Sequence, residues 1–123
     1  MLLNDFYTIE NWAESKTTAG EVRAVLVLNP AHTIFAGHFP GQPVVPGACQ
    51  LQMVEELLSH VLDKEFRLVN ATQIKFLTPI DPRQHSRIDA VMQYALDGPF
   101  RVTATFSAAD ASFLKLNGIF GAE

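Results

Sequence analysis

The sequence predicts an α+β fold in which a curved antiparallel β-sheet wraps around one central helix. Three observations carry this. A single long stretch, Ala48 to Leu62, has helical apolar spacing; four stretches after it alternate with a period of two; and the segment before it is rich in glycine and proline. The 123 residues are expected to form one domain, 1–123, long enough to bury about two-thirds of the surface of the unfolded chain.

Taken in order, residues 5 to 14 place Phe6, Tyr7, Ile9 and Trp12 at a spacing that suits a short helix or an irregular edge. Glu21 to Leu28 is β-branched and aliphatic and reads as a strand, stopped by Asn29-Pro30. Residues 31 to 47 read as a long loop. In the helix, Leu51, Val54, Leu57, Leu58, Val61 and Leu62 recur at threes and fours, and Pro46 sits just ahead of it, where a missing N–H costs least. Phe66 to Phe76 reads as a strand, broken at Pro79-Ile80-Asp81-Pro82. Ser86 to Leu96 places Ile88, Ala90, Met92 and Tyr94 on one side, Asp97-Gly98-Pro99 turns the chain, and Phe100 to Ala108 aligns Val102, Ala104 and Phe106. Asp110 marks another turn, and Ser112 to Phe120 is a last strand with Asn117-Gly118 near its end.

Composition narrows the function classes. Nine basic against thirteen acidic residues leave a net charge of −4, which argues against holding nucleic acid through the overall field. A single cysteine, Cys49, excludes an intrachain disulfide and fits a reducing compartment. No apolar run approaches the ~20 residues of a membrane span, and no leader segment stands at the start, so a cytoplasmic location away from membranes is expected.

The chemistry-bearing segment is Gly37-His38-Phe39-Pro40-Gly41-Gln42-Pro43-Val44-Val45-Pro46-Gly47, running straight into the helix. It holds one histidine in a loop stiffened by three prolines and three glycines and aims a helix N-terminus at nearly the same place. A base beside free backbone N–H groups is suited to polarising a carbonyl and moving a proton next to it. His32, His60 and His85 are expected to be structural or surface residues. His32 and His38 have no carboxylate or thiol between them to make a metal site.

This segment resembles the signature of the β-hydroxyacyl-acyl carrier protein dehydratases, His-Phe-Pro-Gly-x-Pro-Val-Met-Pro-Gly, with Val45 in place of Met. Ile74-Lys75-Phe76-Leu77-Thr78-Pro79 is similar to the family's strand leading into a proline turn. The resemblance runs from about residue 20 to the end and implies the hot-dog fold. It also implies dehydration of (3R)-hydroxyacyl thioesters carried by acyl carrier protein or coenzyme A, without metal or organic cofactor, at a site on a dimer interface. By position, His38 is the base for the C2 proton and the Gly47 N–H holds the thioester carbonyl. Phe39, Pro40, Val45 and Pro46 line the substrate.

The departure from the pattern lies on the helix. The family's acid, a Glu or Asp six residues after the last proline, is replaced by Gln52, and Glu56 stands where members carry Gln. A neutral amide hydrogen-bonds but donates no acidic proton, and that help is worth ~10²–10⁴ in rate. Glu55 or Glu56 is then a candidate substitute, Glu56 one helical turn of ~5.4 Å away.

Three functions follow as expectations. The first is a weak or partner-dependent dehydratase. The second is a non-catalytic carrier-binding subunit, in a homodimer or in a heterodimer with a paralogous hot-dog chain. The third is a thioesterase in which Gln52 orients water.

Some residues keep two readings. Cys49 sits where a helix start favours a thiolate, yet it also fits as a small hydrophobe. Phe35, Phe39 and Phe76 are core or tunnel wall. Lys75, Arg83 and Arg87, near the Pro79–Pro82 turn, either meet an acidic carrier or are simply solvated.

Overall fold

The computed structural model describes residues 1–37, 41–95 and 100–122. Six antiparallel strands run β1 Tyr7–Glu14, β2 Glu21–Leu28, β3 Phe66–Phe76, β4 Arg87–Tyr94, β5 Arg101–Ala108 and β6 Ala111–Ala122. They form one curved sheet in the order β1-β2-β4-β5-β6-β3. A short helix α1, Thr33–Gly37, and the long helix α2, Gly47–Leu62, fall between β2 and β3. This is the hot-dog arrangement, and each long element lies within two or three residues of its expected range.

Alternation along the central strands explains the layering. Val22, Ala24, Leu26 and Leu28 of β2, Ile88, Ala90 and Met92 of β4, and Val102, Ala104 and Phe106 of β5 are all buried on one face. Met53, Val54, Leu57 and Leu58 of α2 complete that core. Each such side chain contributes roughly 1.5–3 kcal/mol on burial. Helical periodicity alone favoured Leu51, Val61 and Leu62, which are only partly buried. Met53 and Gln50 take the deeper positions because the sheet curls around a slightly rotated stripe.

One open reading closes and one local expectation changes. Residues 7–14 form an edge strand, irregular because its pairing with β2 shifts between Glu10 and Ala13 and Asn11 adopts φ 55°. The loop before α2 contains α1, whose Phe35 stacks on Phe6 at 5.1 Å and so belongs to the core. Asn117-Gly118 lies inside β6, opposite both Val102–Thr103 and Ala71–Gln73, and makes no turn. The Asp97-Gly98-Pro99 turn falls outside the described residues.

Gly118 is required by close approach. A Cβ there would lie 2.8 Å from Leu68 Cδ1 and 2.9 Å from the Asn70 carbonyl oxygen, and the latter is backbone that cannot swing aside. Gly118→Ala is therefore expected to destabilise the fold by about 1–3 kcal/mol, read from the urea midpoint at unchanged m-value.

Candidate functional site

The site is organised by the N-terminus of α2. Pro46 precedes the helix at φ −59°, ψ 148°, and no side chain caps it. The first intrahelical bond runs from Gln50 N to the Pro46 carbonyl at 3.1 Å, so the N–H groups of Gly47, Ala48 and Cys49 lie ahead of the ladder. No acidic side chain stands in the first turn. The chain is steered into this start by Val45, which is buried and donates its N–H to the Ile80 carbonyl at 2.9 Å. Beyond β3, Leu77 and Thr78 are held by bonds from their N–H groups to Phe113 and Ser112.

Phe76 lies over the same turn. A Cβ on Gly47 would meet its ring at 2.9–3.3 Å, so position 47 must lack a side chain for the aromatic ring to rest there. Val44, Val45, Gly47, Gln50, Phe76, Leu77, Thr78 and Pro79 line an open cavity of about 260 Å³. The sequence left Phe76 between core and tunnel wall. The structure makes it a wall residue, 49% exposed on its far side. His38, Phe39 and Pro40 fall outside the described residues.

A second, larger cavity of about 410 Å³ opens further along α2, among residues that include Leu3, Gln52, Glu55, Glu56, His60 and Arg67. Its polar centre is Glu56. Oε2 accepts from Leu2 N at 2.8 Å and from Gln52 Nε2 at 2.8 Å, and Oε1 accepts from Leu3 N at 2.8 Å and the Tyr7 hydroxyl at 3.0 Å. All four partners are donors, so the carboxylate acts here as an acceptor that ties the N-terminal segment to the helix. Glu55 is also engaged: its Oε2 accepts from Leu68 N at 2.8 Å and fixes the start of β3. The larger cavity has the volume, but the smaller one lies beside the free N–H groups of the helix start.

The structure thus joins Gln52 to Glu56 directly and sets both apart from the Gly47 cavity of the same chain. The Glu56 clasp was not legible in the sequence, because two of its donors are backbone groups 54 and 53 positions away and a third, the Tyr7 hydroxyl, is 49 away. Cys49 is half-buried, and burial together with the Glu56 charge pushes its thiol pKa up. That removes the thiolate reading and leaves packing. Of the basic residues near the turn, Arg83 is paired with Asp81 at 3.0 Å and Arg87 with Glu10 at 2.6 Å. Their guanidinium groups hold both carboxyls below the usual range. His32 bonds Asp5 and His85 bonds Asp110, each with its ring against a phenylalanine, while His60 meets Trp12 edge-on. Among the described residues no three His, Cys, Asp or Glu side chains converge as a metal site, and no helix is long and apolar enough to cross a membrane.

A family model described as ApeI-like, ApeI dehydratase, matches residues 14–112. Among solved structures, an uncharacterized protein from Erwinia carotovora subsp. atroseptica is 23% identical, with a TM-score of 0.64 over 95% of each chain. A chain of the dehydratase heterocomplex ApeI:P from Xenorhabdus doucetiae is 19% identical, with a TM-score of 0.69 over 89% of this chain and 96% of that one. A candidate thioesterase from Lactococcus lactis is 9% identical, with a TM-score of 0.59 over 93% of this chain and 91% of that one. At these identities the structural likenesses show the hot-dog fold. No curated protein matches the chain.

The Glu56 cluster sets an alkaline limit. Burial first, then the Glu56 charge and hydrogen bond, raise the Tyr7 pKa far above its ordinary value. The folded chain keeps that proton while the unfolded chain loses it near pH 10, so this contribution is complete below about pH 10 and is lost above it. Urea midpoints measured below and above that point should fall with pH, and Tyr7→Phe should show a shallower fall. Tyr94, also raised by burial and Glu14, accounts for part of what remains.

Proposed function

Because the chain belongs to the ApeI-like dehydratase family, we propose that it handles (3R)-hydroxyacyl thioesters, eliminating water across C2 and C3 to leave the trans-2-enoyl thioester. The acyl group arrives on acyl carrier protein or coenzyme A, in the cytoplasm. The observation that carries this reading is the uncapped first turn of α2 opening on a cavity walled by Val44, Val45, Phe76 and Pro79. As the C2 proton leaves, negative charge grows on the thioester oxygen, and the Gly47 N–H at the helix start stabilises it without reorganising. His38 removes that proton, and Phe39, Pro40, Val45 and Pro46 shape the slot.

The leaving hydroxyl needs a proton, and this chain's own helix is poorly set to give one. Gln52 is a neutral amide, and Glu56 would have to surrender one of four donors to act. We therefore assign the acid to a second hot-dog chain, so that each site is composite. The exposed edge of the sheet supports this. β3 pairs only with β6, and along it and just beyond it Val69, Ile74, Phe76 and Leu77 stay exposed. An eleven-residue edge strand with Val69, Ile74 and Phe76 exposed along it is a template for another strand. A second copy brings the same Gln52, so a homodimer leaves the acid missing, and the partner that completes the site is a paralogous chain with Glu or Asp at the place of Gln52. The heterocomplex found among the structural neighbours makes the paralogue the favoured partner.

The test follows enoyl absorbance from 3-hydroxyacyl thioesters of several chain lengths on both carriers. The pure chain should be slow. Gln52→Glu should raise its rate by on the order of 10², because its carboxyl would sit within hydrogen-bond reach of Glu56 and two carboxyls that close cannot both ionise. His38→Ala should remove whatever activity exists. A flat trace from native and Gln52→Glu protein alike removes the catalytic reading and leaves a carrier-binding subunit, whereas free thiol without enoyl product identifies a thioesterase.

A further inference from the structure

Lys75 of β3 and Lys115 of β6 stand directly opposite each other in the sheet. Leu114 and Leu116, on either side of Lys115, are buried, so alternation puts both lysines on the outer face, where both are exposed. Among the described residues neither ammonium meets a carboxylate or another hydrogen-bond partner. Arg23, Arg83 and Arg87, by contrast, are each paired with an acidic side chain. Register places Thr105 beside Lys115, and Gln73, Asn117 and Thr103 one row along the same face, none of them acidic.

Like charges directly opposite in a sheet repel and destabilise it. A chain with thirteen acidic residues has the means to neutralise such a pair and leaves this one bare. An anionic partner relieves the repulsion when it binds. The chain as a whole, at a net charge of −4, repels an acidic protein, so such a partner is drawn to this spot.

The place of the pair decides what the partner is. Lys75 is one peptide, ~3.8 Å between Cα atoms, from Phe76, which lines the Gly47 cavity. Leu77, Thr78 and Pro79, which follow, line the same cavity. The end of β3 thus carries positive charge outside and the proposed thioester slot inside. Neither lysine lines a described cavity, so together they offer an open face suited to a protein surface, without walls for a small molecule. A strand added at the free edge of β3 bonds to its backbone and leaves the outward side chains uncovered.

We propose that Lys75 and Lys115 dock the acidic surface of a carrier protein, whose thioester-bearing arm then reaches past the end of β3 to the first turn of α2. This rests on the thioester reading above and makes a protein, in place of coenzyme A, the preferred carrier.

Binding is measured by calorimetry in a His38→Ala background that prevents turnover. Two probes carry the same 3-hydroxyacyl group, one on an acidic acyl carrier protein and one on coenzyme A. At about 0.15 M salt, Lys75→Glu/Lys115→Glu should weaken carrier-protein binding about tenfold or more and leave the coenzyme A thioester within about twofold. Lys16→Glu/Lys64→Glu makes an equal change of net charge at exposed positions elsewhere and should alter neither probe by more than about twofold. Raising the salt should weaken carrier-protein binding to the parent and barely affect the Lys75/Lys115 variant. Lys75→Glu alone should not lower the urea midpoint, because it turns a repelling pair into an attracting one. Should the double reversal fail to fold, Lys75→Gln/Lys115→Gln, which only removes charge, replaces it.

Undiminished carrier-protein binding by the Lys75/Lys115 variant overturns the proposal. So does equal weakening by the Lys16/Lys64 variant, which would make the effect one of net charge, or equal weakening of both probes, which would place the lysines in the thioester slot. If the parent binds the coenzyme A thioester and not the carrier protein, only this inference falls. If it binds neither, the thioester reading falls and this one with it.

Discussion

The uncapped start of α2 is the constraint around which this molecule is arranged. Helices of this length usually receive a side-chain cap, which adds about 1 kcal/mol. Here Pro46 supplies none, no acidic residue enters the first turn, and the exposed dipole end faces a cavity instead. The surrounding structure fixes its position. Val45 is tied to Ile80, Phe76 lies against Gly47, and the apolar stripe of α2 is buried in the curve of the sheet. Stability forgone at the helix terminus becomes a set of donors held still in a largely apolar wall.

The two ends of the helix segment that carries the polar residues have separated in role. At positions 47 to 49 the backbone N–H groups lie ahead of the helical ladder, beside a cavity lined by Gly47. At positions 52 to 56 they are fully engaged, with Gln52 and the N-terminal segment converging on Glu56. A carboxylate that is free in a site can give and take a proton, but one surrounded by four donors is a structural clasp. Glu56 thus commits its charge to joining the helix to the N-terminal segment.

The sheet edges show where the molecule is incomplete. β1 is short and bulged, and Arg87 on the neighbouring chain segment pairs with Glu10 beside it, so this edge is blunted. β3 is longer and has apolar side chains left uncovered at its free side. Phe76 belongs to both features, as edge residue and as cavity wall, which physically links the edge to the proposed thioester slot.

Local chemistry determined most of the fold. The period-two alternation of β2, β4 and β5 and the three–four spacing of α2 reflect which faces must leave water, and a single sequence displays that directly. Pro46 and Gly47 likewise announced a helix start, because glycine and proline act on the backbone at their own positions. What the sequence did not disclose was decided by partners distant along the chain. Gly118 is an ordinary strand residue in the sequence until Leu68 and the Asn70 carbonyl are seen pressing on it. Residues 7–14 became a strand only because β2 offered a ladder. Gln50 and Gln52 are indistinguishable as amides, yet their helical angles send one inward to the Val45 carbonyl and the other to Glu56. Burial and hydrogen-bond satisfaction belong to the assembled chain, so only the tertiary structure could assign them.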